Sequence, residues 1–92
     1  MKLPDTREQL QLIVSLASSG DRAGALAAAR QLSDKHVAAE AWRLLSEINA
    51  NSQRWEEALE DLEIALQHAP DSRPMRLARA RLLERLGADP AA

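Results

Sequence analysis

"WRLLSEINANSQRWEEALEDLEIALQHAP", residues 42–70, has a Trp at one end, a Pro at the other, and two apolar-striped segments separated by a short polar gap. Trp42, Leu45 and Ser46 in the first segment, and Ala58, Leu62 and Ala65 in the second, recur every three or four residues. That is the period of a helix with one buried face. Asn51-Ser52-Gln53 reads as the turn between them, with Asn51 able to take the left-handed conformation that ends a helix. Glu56 and Glu57 lie in the next first turn, where the helix dipole favours anions, and Pro70-Asp71-Ser72 stops the second segment. The pattern predicts helices over about 37–50 and 54–68.

The same reading extends outward. Thr6 with Gln9 makes a capping-box pattern, and Leu10, Ile13, Val14 and Ala17 follow at helical spacing until Ser18-Ser19-Gly20, predicting a helix over 6–18. Asp21 can cap an Ala-rich helix through Leu32, and Ser33-Asp34-Lys35-His36 breaks the pattern. Ser72, with Pro74 in the first turn, starts a fifth helix that ends at Gly87. Residues 89–92 read as a tail or linker. Five helices with short connections predict an all-α domain in which successive helices run antiparallel.

Composition removes several classes of function. At 92 residues the chain is one domain at most, spanning 1–88, and it buries only about 60–65% of its unfolded surface. It has no Cys, so disulfides and thiolate metal sites are excluded. Met1-Lys2-Leu3-Pro4-Asp5 has no apolar run behind it, and no later stretch approaches the ~20 apolar residues of a membrane span. A cytoplasmic protein, or a soluble domain of a larger one, is the expectation. The net charge of -2 and the lack of Phe and Tyr argue against a nucleic-acid partner. Ten Arg against two Lys, with eighteen Ala, resembles the coding of a GC-rich bacterial genome.

No catalytic constellation is visible. Gly20-Asp21-Arg22-Ala23-Gly24 is too short for a phosphate loop and lacks its strand. His36 and His68 fall at the ends of what read as equivalent helices without carboxylates at ligand spacing, so both are read as capping or solvent residues. Glu56, Glu57, Glu60, Asp61 and Glu63 read as the charged outer face of one helix. Without a nucleophile, a base and a group to orient it, the expectation is a non-enzyme with no cofactor and no metal.

Trp42, two residues, Leu45-Ser46, two residues, Asn49, then Ala58, three residues, Leu62, and finally Pro70 is similar to the spacing of the 34-residue tetratricopeptide repeat. Residues 39–72 resemble that family most clearly, residues 6–38 resemble a degenerate repeat, and 73–87 a capping helix. The resemblance implies helix-turn-helix repeats stacked as a short right-handed solenoid, with Trp42, Leu45, Trp55, Ala58, Leu62, Ala65 and Pro70 as structural positions. Arg76 and Arg79 stand where a full repeat is apolar, as suits a cap wetted by solvent. Gln53 stands where the family has Gly, and Asn49 where it has a bulky residue.

The resemblance further implies a concave groove lined by the first helix of each pair. Its positions would be Arg7, Leu10, Val14, Ala17 and Ser18 in the first repeat. In the second they would be Glu40, Arg43, Glu47, Ala50 and Asn51, and in the cap Leu77, Arg81, Glu84 and Arg85, so the groove grades from apolar to basic. The family's carboxylate clamp wants Lys and Asn where Arg43 and Glu47 stand, and a Glu there repels a carboxylate. The segment 54–68 carries five acids and one Arg, and 73–87 five Arg and one Glu. Neighbouring helices of that kind can neutralise each other, or Arg43, Arg81 and Arg85 can form a strip for an acidic segment. Two functions follow. The first is an adaptor binding a protein or peptide, as a module at the start of a larger bacterial protein. The second is a self-association module, a homodimer through the apolar face of the first helix, where Leu10, Ile13, Val14 and Ala17 exceed what one neighbour covers.

Overall fold

Aspartate and serine side chains decide where most of the helices begin. In a computed structural model that describes residues 5–87, the five helices are α1 (Thr6–Ser18), α2 (Arg22–Arg30), α3 (Lys35–Asn51), α4 (Trp55–His68) and α5 (Arg73–Arg85), and no strand occurs among the described residues. The Asp21 carboxylate accepts the Gly24 N–H at 2.9 Å, and the Ser72 hydroxyl accepts the Met75 N–H at 3.4 Å, as the sequence predicts for α2 and α5. The capping box at Thr6 is not formed. Asp5 is the cap instead, accepting the Glu8 N–H at 2.8 Å, because a charged oxygen one residue earlier satisfies the same orphan donor. Asp34, read in the sequence as part of a helix break, is the cap of α3 and holds the N–H groups of His36 and Val37 at 2.8 and 3.2 Å. The helix therefore starts at Lys35, two residues before the apolar pattern does.

The turn between α3 and α4 also differs from expectation. Asn51 is the last residue of α3, and the left-handed residue is Gln53, at φ 62°. The Gln53 N–H reaches the Ala50 carbonyl at 3.0 Å and the Arg54 N–H reaches that of Asn49 at 2.9 Å. This paired closure usually uses glycine, and Gly20, at φ 95°, makes the same closure after α1.

Each helix packs on the next, α3 with α4 most extensively, and α1 also packs directly on α3. The molecule is elongated, 53 × 28 × 16 Å along its principal axes. Its core runs through Ile13, Ala25, Ala29, Ala38, Ala41, Trp42, Leu45, Ala58, Leu62, Ala65, Met75 and Leu82. Trp42 is the one large aromatic in it, 3% exposed, and Ala58 and Ala65 are fully buried, so α4 can lie close against α3. Two residues assigned to the core behave otherwise. Trp55 is half-buried, and Pro70 is exposed in the turn it shapes. Ile13 is fully covered, which shrinks the apolar surplus of α1 to the half-buried Leu10, Val14 and Ala17.

Polar groups cross the core in pairs. The Ser46 hydroxyl donates to the Ala58 carbonyl at 2.7 Å, and Asn49 Nδ2 donates to Asp61 Oδ2 at 2.7 Å. Arg22 approaches the same carboxylate oxygen from α2 at 3.5 Å. Asp61 is thus not on the charged outer face of α4; it is 2% exposed, and Asn49 fills a family position for bulk with a donor because this carboxylate lies opposite.

Candidate functional site

The apolar stripe of α5, Met75, Ala78 and Leu82, recurs at three and four residues and turns toward α4 and α3. Met75 and Leu82 are buried, yet the stripe leaves space on its α3 side. A cleft of about 670 Å³ opens there. Arg43, Ser46, Glu47 and Ala50 of α3 form one wall, Trp55 and Leu62 of α4 the floor, and Pro74, Met75, Ala78, Arg81, Leu82, Glu84 and Arg85 of α5 the other wall. The floor is aliphatic and aromatic, and the charges stand at the rim. Such a hollow accepts an apolar group and orients it by its edges.

Of the residues expected to line a groove, Arg43, Glu47, Arg81 and Arg85 do meet here, together with Ala50 and Glu84. Asn51 and Leu77 do not. Asn51 is exposed at the end of α3, and Leu77 is 54% exposed on the side of α5 turned away from the cleft. The sequence reading missed Met75, Ala78 and Leu82, although their spacing marked a buried stripe. It also placed Trp55 in the core, whereas the ring is a wall of the cleft with the Arg85 guanidinium 5.1 Å above its centroid. That is a cation–π distance.

The basic strip is narrower than expected. Arg43 lies between two acids of its own helix, with Nε 3.1 Å from Glu40 Oε2 and Nη1 3.1 Å from Glu47 Oε2. Its side-chain hydrogen bonds to Glu40 hold that carboxyl below the ordinary range. The same bonds raise the Arg43 guanidinium. Arg43 is therefore a neutralised ridge, and the available positive charge is on α5. Neither Arg81 nor Arg85 has a carboxylate at ion-pair distance among the described residues. Across the outer edge of α4 and α5 the opposite charges meet at one point, Arg79 Nε to Glu63 Oε1 at 3.7 Å.

A second, shallower hollow lies on the other flank of α3, where Arg7, Leu10, Gln11 and Val14 of α1 meet Leu44. The histidines do not occupy equivalent places. His36 is exposed in the first turn of α3, and His68 is half-buried as the last residue of α4. Among the described residues no cluster of three His, Asp or Glu side chains is arranged to hold a metal ion, and no helix is long and apolar enough to cross a membrane. Comparison with protein-family models, with curated proteins and with solved structures finds no match to this chain.

Proposed function

We propose that this chain is a non-catalytic adaptor, a short tetratricopeptide-like array of two helical hairpins and a capping helix, that binds an acidic peptide segment of a partner protein. The reading rests on the cleft between α3 and α5. It has an apolar floor, and Arg81 and Arg85, four residues apart on one helix, present guanidinium groups on the same side of it. A guanidinium can hold a carboxylate through two parallel hydrogen bonds, which a lysine cannot reproduce. The packing of α1 on α2, α3 on α4, and α1 on α3 is what stacked hairpins would give, and it supports the repeat reading.

Titration with a library of acidic peptides tests it. Arg81→Ala combined with Arg85→Ala should weaken binding at least tenfold with the melting temperature unchanged, because both residues are exposed. Arg76→Ala, outside the cleft, should change neither. A double variant that binds as well as wild type removes the proposal. The second reading, a self-association module, is favoured by the apolar hollow of Leu10, Val14 and Leu44 on α1 and α3. Sedimentation from micromolar concentration upward separates the two, since an adaptor remains monomeric.

A further inference from the structure

We infer that the partner segment carries two apolar anchors, one for the α3/α5 cleft and one for the hollow between α1 and α3; this rests on the peptide-binding reading above. The two hollows share α3. Arg43, Ser46, Glu47 and Ala50 border the first, and Leu44, the next residue after Arg43, borders the second. Successive residues of a helix point about 100° apart, so the hollows are the two flanks of one exposed ridge. The second hollow is built from Leu10 and Val14, four apart on α1, against Leu44, all half-buried. A ligand that fills the cleft and continues across α3 arrives in it.

Helix dimensions fix the spacing of the anchors. An α-helix with its side chains is about 10 Å across, so two groups seated on its opposite flanks are separated by roughly that distance. An extended segment covers it in about three residues and a helical one in about seven.

Charge fixes what surrounds the anchors. On the ridge Arg43 is matched against both Glu40 and Glu47, which leaves an excess of negative charge there. On the flanks stand Arg81 and Arg85 at the cleft and Arg7 at the hollow. The segment's acids therefore belong beside its anchors, and the stretch between them is neutral or basic. This pattern also sets the partner apart from a uniformly acidic tail, which the ridge repels.

The probes are synthetic acidic peptides with two leucines three residues apart, compared with the same peptides in which either leucine is serine. Wild-type protein should bind the two-leucine peptide roughly tenfold or more tightly than either single-leucine form, as the burial of one more leucine requires. Val14→Glu should abolish that advantage while the single-leucine peptides keep their affinity for the cleft. Leu44→Gln serves as the second variant, with helical circular dichroism confirming that each is folded. Equal binding of all the peptides by wild type overturns the second anchor and leaves the adaptor reading standing. No binding of any of them overturns both. A concentration-dependent dimer that Val14→Glu dissociates assigns the hollow to a second copy and overturns the inference.

Discussion

Trp42 and Asp61 show how single residues carry this small fold in opposite ways. Trp42 fills the space between α3 and its neighbours at 3% exposure, and Trp42→Ala should cost about 3–5 kcal/mol. That is most of the stability of a chain this size, so the expected result is a large drop or loss of the thermal transition. Asp61 is equally buried but charged. Burial raises its pKa above the ordinary 3.8, against the lowering influence of Arg22 and Asn49. A carboxyl raised in this way binds its proton more tightly in the folded state, so its contribution is most favourable below about pH 3.8 and declines as pH rises through the raised value. Urea midpoints of wild type and Asp61→Asn at several pH values check the sign. Relative to Asp61→Asn, wild type should lose stability as pH rises from 3 upward. A wild type that instead gains on the variant over that range would show that Arg22 and Asn49 outweigh desolvation.

At the scale of the element, the turn after α3 and the outer face of α5 are the two places where local preference and observed conformation disagree. Gln53 holds a left-handed backbone that costs an L-residue roughly 1–2 kcal/mol, while glycine adopts it freely but is more disordered when unfolded. Gln53→Gly should therefore raise stability modestly, by up to about 1 kcal/mol, read as a higher denaturation midpoint. A fall would place the left-handed residue elsewhere in the turn. On α5, Arg79 keeps solvent on a face with no further helix against it among the described residues, and its pairing with Glu63 is exposed on both sides. Such pairs contribute about 0.2–1 kcal/mol, so Arg79→Leu should melt nearly as wild type does. It should associate as concentration rises, because it adds an apolar side chain beside the half-buried Leu83. A monomeric Arg79→Leu would show that this face is already covered.

For the whole molecule, the charges that face the cleft are exposed and screened over ~8 Å at physiological ionic strength, so affinity for an acidic peptide should fall steadily between low salt and 0.5 M NaCl. Salt-independent binding would transfer the recognition to the apolar floor alone. The all-helical class, the existence of five helices and most of their ends were legible in the sequence, because apolar period, Asp and Ser caps, Gly20 and Pro70 act within one or two turns of chain. The α3 start at Asp34 was missed because a cap preceding an apolar stripe by two residues resembles a loop. Burial of Trp42, Leu45, Ala58, Leu62 and Ala65 was likewise written in their spacing. What needed tertiary structure was every fact that depends on two helices at once. Asp61 looks like one more surface acid until α3 brings Asn49 to it. Arg43 looks like part of a basic strip until Glu40 and Glu47 take up its guanidinium, and Trp55 looks like core until α5 settles on α4 with space left beside α3. The period of a helix tells which side of it is apolar. Only the packing of its neighbours decides how much of that side is covered, and the uncovered remainder is where this chain can bind.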